Sequence, residues 1–150
     1  LPFNVQVLEP RRTICEKIMS LVRFSYDENP IDALSKKVRH TYDLYQLLQQ
    51  QKYSDFLDSP EFEKMLLKVA NDDVLSFKNN NEWLAYHPIE ALIFKDLDNV
   101  WNELKKVYNV EFREMVYGIL PNENDVLAVL KRIKKRIETI IWLVEIKNTL

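Results

Sequence analysis

Polar and apolar positions alternate with a period of two only at the start of the chain, where Phe3, Val5 and Val7 interleave with Asn4 and Gln6. That alternation predicts a strand over residues 3–8. Pro10 breaks it, and beyond Pro10 the pattern changes to the 3.6-residue repeat of helices. Ile14, Cys15, Ile18, Met19, Leu21 and Val22 fall on one arc, with Glu16 and Arg23 on the opposite, wet face. Lys17 lies at the edge of the arc, beside Thr13, Ser20 and Phe24. The spacing Thr13-x-x-Glu16 predicts a capping box at the helix start. Asp27-Glu28-Asn29-Pro30 predicts its end.

A second helix is predicted from about Asp32 or Leu34 to Gln50, burying Leu34, Val38, Thr41, Leu44, Tyr45 and Leu48. Lys36, Arg39, His40 and Asp43 share an adjacent face, and Arg39 and Asp43, four apart, are placed to pair. A third helix starts with Ser59 as N-cap and Pro60 at its first position, and carries Phe62, Met65, Leu66, Val69 and Ala70 inward as far as Phe77. Beyond the Asn79-Asn80-Asn81 loop, Pro88 to Tyr108 reads as helical, with Leu92, Ile93, Leu97, Val100, Trp101 and Leu104 inward. A short helix from Val110 to Tyr117 is expected to end at Gly118. Asn124 to about Asn148 gives the longest stripe: Leu127, Leu130, Ile133, Ile137, Ile140, Ile141 and Val144.

A lone strand leaves its backbone groups unpaired. No second strand follows, and the chain opens on Leu1 rather than Met. Residues 1–10 are therefore expected to be the remnant of a sheet lying upstream, and residues 11–150 a helical C-terminal domain. The expected fold is mainly α: a helical bundle behind one short N-terminal strand.

Composition then narrows the chemistry. Gly118 is the only glycine, so neither a P-loop nor a dinucleotide-binding glycine fingerprint exists in these residues. The net charge of −2 supplies no global basic field for nucleic acid. Cys15 is the single cysteine, which excludes an internal disulfide and fits a reducing, cytoplasmic compartment. No apolar run has the length of a membrane span, so no membrane partner is expected.

Lys17 and Asp43 are the candidate catalytic residues. Phosphoryl chemistry asks a protein mainly to position groups and neutralise charge, which suits a lysine beside a phosphate chain. An aspartate on the next helix can orient that lysine or take a proton from an attacking hydroxyl. On spacing alone, a snorkelling Lys17 and an ordinary Arg39–Asp43 pair explain the same residues. Asp96-Leu97-Asp98 has the spacing of a metal-binding carboxylate pair, but on a helix residues two apart diverge by about 200°, so it is read as solvated surface charge. The run Lys131, Arg132, Lys134, Lys135 and Arg136 can hold a nucleic-acid backbone, yet Ile133 and Ile137 continue the core stripe through it, and a solvated helix face accounts for it equally. His87 has no Cys or His partner at metal spacing.

The chain resembles the C-terminal half of the AbiEii/AbiGii-type nucleotidyltransferase toxins, bacterial proteins of abortive-infection and type IV toxin–antitoxin systems. The resemblance is carried by Pro10, Arg12, Thr13, Glu16 and Lys17 of a P-x-R-T-x-x-E-K segment, and by Arg39, Asp43, Leu44 and Leu47 of an R-x-x-x-D-L-x-x-L segment. It implies transfer of a nucleotidyl group from a nucleoside triphosphate to an acceptor, tRNA among those considered, with a divalent metal such as Mg in the longer parent and a cognate antitoxin. It also implies Lys17, Arg39 and His40 as nucleotide or phosphate contacts. The Gly-Ser/Thr turn and paired carboxylates of the family's metal motif do not occur in residues 1–150 and belong, by resemblance, upstream. This stretch alone is then expected to be inactive and to bind no metal. The alternative reading is a non-catalytic helical module that binds a protein or RNA partner.

Overall fold

The computed structural model describes residues 9–115 and 120–146, and the strand expected at residues 3–8 and the C-terminal glycine Gly118 lie outside them. The described residues form helices α1 (Pro10–Phe24), α2 (Pro30–Ser35), α3 (Val38–Leu48), α4 (Gln51–Leu57), α5 (Pro60–Ser76), α6 (Leu92–Lys95), α7 (Leu97–Met115) and α8 (Glu123–Glu138). Short 3-10 turns at Glu82–Ala85 and Pro88–Glu90 lead into α6. The architecture is a mainly α bundle.

Helix α1 starts earlier than the Thr13 signal. Glu9 is its N-cap, with the carboxylate accepting from the Arg11 N–H at 3.2 Å, and the Thr13 hydroxyl donates to the Glu9 carbonyl. Pro10 has a preset φ and no N–H to leave orphaned, so it opens the helix. From there α1 runs through the middle of the bundle, touching α2, α3, α4, α5 and α6. Its arc of Ile14, Cys15, Ile18, Met19, Leu21 and Val22 is almost completely buried. Burial also pushes the Cys15 thiol well above the usual thiol range, so it is inert packing rather than a nucleophile.

The expected second helix is two helices. The chain turns at Lys36 and Lys37, where the Lys37 N–H bonds the Leu34 carbonyl and the His40 N–H bonds Lys37. The turn lets α2 pack on α7 while α3 packs on α1 and α8. The expected helix from Pro88 to Tyr108 is likewise broken, at Ala91 and Asp96, and the separate helix at Val110 is instead the continuation of α7 to Met115. Ser59 takes the N-cap position of α5, but its hydroxyl bonds the Phe56 carbonyl at 2.7 Å rather than the helix start.

The closing helix ends at Glu138, not Asn148. Residues 140–146 run in non-helical backbone, with Ile140 and Val144 buried and Ile141 and Leu143 exposed. This strap is clipped down by the Trp142 indole, which donates to the Leu84 carbonyl at 2.8 Å, and by the His87 ring. His87 Nδ1 accepts from the Ile89 N–H and Nε2 lies 2.8 Å from the Ile140 carbonyl, so the ring serves as a two-sided clip.

Helices α7 and α8 are joined by aromatic side chains that remain polar at their tips. The Trp101 indole donates to the Glu123 carbonyl at 3.2 Å, and the Tyr108 hydroxyl donates to the Pro121 carbonyl at 2.7 Å. Burial pushes the Tyr108 phenol up to about 12, so it stays a donor. The ring of Phe112 stacks on Tyr42 at 5.1 Å, which fixes α7 against α3. That contact and the α1–α3 packing set where Asp43 points.

Candidate functional site

Lys17 is in the second turn of α1, and Asp43 is in the middle of α3. The core arc of α1 leaves Lys17 on the α3 flank, and burial of Thr41, Leu44 and Leu48 turns Asp43 toward it. Lys17 Nζ lies 3.0 Å from Asp43 Oδ2, with the side chains 21% and 27% exposed. Asp43 therefore pairs across helices with Lys17 and not with Arg39, the partner expected from spacing. Arg39 is exposed and forms no ion pair among the described residues.

His40 sits three residues before Asp43 on α3. Its Nδ1 is buried and has no hydrogen-bond partner among the described residues. Burial, first, and then the cations Lys17, Lys37 and Arg23 push its pKa down to about 4, against a weaker pull upward from Asp43. At neutral pH His40 is therefore uncharged. As a phosphate contact His40 would offer a neutral N–H rather than a charge.

Arg23 and Lys37 extend this group of charges, and sequence reasoning left both out. Arg23 Cζ lies 4.5 Å from the ring centroids of both Phe24 and Phe77, and Lys37 Nζ lies 5.1 Å from that of Phe24. Phe77 is at the end of α5, so no local pattern reveals the clamp. On the other flank of Arg23, a cavity of about 160 Å³ is lined by Glu16, Ser20, Arg23, Asp73 and Phe77 among others. Burial pushes the Asp73 carboxyl up to about 6 there, opposed by Arg23.

The remaining candidates are dispersed. Arg132 donates to the Ser54 carbonyl and to Asp58, and Arg136 to the carbonyls of Leu57 and Ser59, with Glu63 as its ion partner. Both arginines thus bind α8 to the α4–α5 connection instead of standing free. Lys131 pairs with Asp98 at 3.3 Å, and Lys134 and Lys135 have no ion partner among the described residues. Asp96 accepts from the Asn99 amide at 2.9 Å while Asp98 faces Lys131, so the two carboxylates are engaged separately. Among the described residues no three His, Cys, Asp or Glu side chains cluster as metal ligands.

A cavity of about 430 Å³ lies elsewhere, between α1, α4 and α5, over Phe56 and Met65. None of Lys17, Arg39, His40 or Asp43 lines it, and Arg11, Lys64 and Lys68 on its rim have acidic partners in Glu9, Glu61 and Asp72. Lys52, also on its rim, packs over Tyr53 without an ion pair among the described residues, but the cavity has no cross-helix pair like that at the α1–α3 edge.

A cross-helix lysine–aspartate pair, backed by further cations on a helical scaffold, is an arrangement suited to holding a phosphate chain. The model of the nucleotidyl transferase AbiEii toxin family, of the type IV toxin–antitoxin system, matches residues 1–139. The chain belongs to that family, and is nucleotidyltransferase-like. No curated protein and no solved structure matches it. No helix among the described residues is long and apolar enough to cross a membrane.

Proposed function

We propose that this chain is the C-terminal helical half of a toxin that transfers a nucleotidyl group from a nucleoside triphosphate to an acceptor RNA, tRNA being the acceptor class the family resemblance suggests. The observation that carries the reading is the 3.0 Å contact between Lys17 and Asp43, from the two segments whose residues match the family pattern. An ammonium has three donors, and Asp43 takes one. The other two remain to meet phosphate oxygens while Asp43 keeps the side chain extended across the α1–α3 edge. The contact favours an orienting role for Asp43 over that of proton acceptor. Arg39, exposed one turn before Asp43, adds charge for the phosphates, and His40 adds a neutral donor.

Among the described residues no three acidic, His or Cys side chains cluster as a Mg site would require. By family resemblance the metal carboxylates belong to a Gly-Ser/Thr turn and paired-aspartate motif of an upstream sheet, and the whole protein is a cytoplasmic toxin with a cognate antitoxin. The test is incubation of the longer protein, and separately of this chain, with each labelled nucleoside triphosphate and bulk RNA. Label is expected in RNA with the longer protein only. Transfer by this chain alone contradicts the split site, and no transfer by either supports a non-catalytic interaction module.

A further inference from the structure

We infer that Arg23 and Lys37 form a seat for the phosphate chain of a nucleotide beside Lys17. The inference rests on the nucleotidyl-transfer reading of Lys17 and adds two residues that neither motif contains. Arg23 lies over two aromatic rings, Phe24 and Phe77, each at 4.5 Å. A guanidinium packed through its faces keeps its in-plane N–H groups for hydrogen bonds, and the rings hold those groups in a fixed direction. Among the described residues Arg23 makes neither a side-chain hydrogen bond nor an ion pair, although Glu16 and Asp73 line the cavity on its flank. Its donors are oriented and unspent.

Lys37 packs over the same Phe24 ring and also has no ion pair among the described residues. Lys17 and Arg23 are six residues apart on α1, about 9 Å along the axis and about 120° around it, so it is the length of the two side chains that would bring their charges to linked phosphates. Lys17, Arg23 and Lys37 all bear on His40. Against three cations stands one contacting carboxylate, Asp43. This excess is what an oligophosphate neutralises, since charge-assisted forks from arginine suit phosphate oxygens. Glu16 and Asp73 line the cavity on the Phe77 flank of Arg23, and Asp27 lines a smaller one with Arg23 and Phe24, so the seat lies toward Lys37.

The test is a titration of the purified chain with inorganic tripolyphosphate at low ionic strength, followed by nuclear magnetic resonance at the Arg23 Nε–H, whose signal is identified by its loss in Arg23→Lys. A saturable shift is expected, with Kd raised about tenfold by Arg23→Gln and less by Lys37→Gln, in line with loss of a charge-assisted contact. Asp73→Asn is expected to tighten binding. Lys37→Gln changes a partly exposed side chain outside the core, so it reports even if Arg23→Gln fails to fold. A wild-type signal that does not move, or wild-type affinity in both Arg23→Gln and Lys37→Gln, overturns the seat. If Lys17→Gln alone abolishes binding, the seat is wrong and the Lys17 reading stands. If Arg23→Gln and Lys37→Gln weaken binding while Lys17→Gln does not, the seat stands and the Lys17 reading falls.

Discussion

Lys17 Nζ lies 3.0 Å from Asp43 Oδ2 across 26 residues of sequence, and the contact spans two helices at a partly exposed edge. Single ion pairs in such positions contribute about 0–1 kcal/mol. Lys17→Met or Asp43→Asn is therefore expected to cost no more than about 1 kcal/mol, a fall in Tm of about 2–4 °C for a chain of this size. Denaturant unfolding of the two variants checks this. A loss of several kcal/mol means that the pair is structural.

Acid is expected to act through His40 and Asp73 with opposite signs. His40 has its pKa lowered from 6.5 to about 4, by burial and by Lys17, Lys37 and Arg23 against Asp43. Its contribution is whole above pH 6.5 and is lost as pH falls through 4. Asp73 has its pKa raised from 3.8 to about 6 by burial, with Glu16 and Asp72 adding to the rise and Arg23 and Arg12 opposing it. Its contribution is present below pH 3.8 and is lost as pH rises through 6. His40→Leu should flatten the decline of Tm between pH 6.5 and 4, and Asp73→Asn should raise Tm at pH 7. A Tm series in which neither variant changes the slope contradicts both assignments.

Arg136 is expected to be structural. It satisfies the Leu57 carbonyl at 2.7 Å and the Ser59 carbonyl at 3.1 Å, packs over Phe62, and is 14% exposed. Arg136→Lys loses the planar fork and should cost about 2 kcal/mol, whereas Lys134→Glu and Lys135→Glu should stay within about 0.5 kcal/mol. Equal effects in urea unfolding would dissolve the distinction drawn between these cations.

Ser25 locks α1 to α6. Its buried hydroxyl donates to the Leu21 carbonyl at 2.9 Å and accepts from the Ile93 N–H at 3.1 Å. Ser25→Ala strands that N–H and should cost about 1–3 kcal/mol. Hydrogen exchange at Ile93 reads the same bond, and unchanged protection there argues against it.

The buried arc of α1 and the α7 stripe through Trp101 and Leu104 were legible in the sequence because helical periodicity is local. The turn at Lys36–Lys37 was not. No glycine or proline marks it, and it redirects the chain so that α2 packs mainly on α7 while α3 also reaches α8. The overlong closing helix has the converse cause: Ile140 and Val144 fit the helical stripe by spacing, yet are buried from non-helical backbone clipped by His87 and Trp142. At the site, motif spacing selected Lys17 and Asp43. It left Asp43 two partners, Arg39 four residues away and Lys17 on the preceding helix, and only the packing of α3 on α1 decides for Lys17. The clamp on Arg23 depends on Phe77, which tertiary packing alone brings close.

The most direct measurement compares labelled-nucleotide transfer to RNA by the longer protein, wild type against Lys17→Met and Asp43→Asn, with Tm recorded for each. Loss of an oriented charge at a reacting phosphate should lower transfer about a hundredfold or more while Tm moves by only a few degrees. Wild-type transfer from a folded Lys17→Met protein contradicts the account.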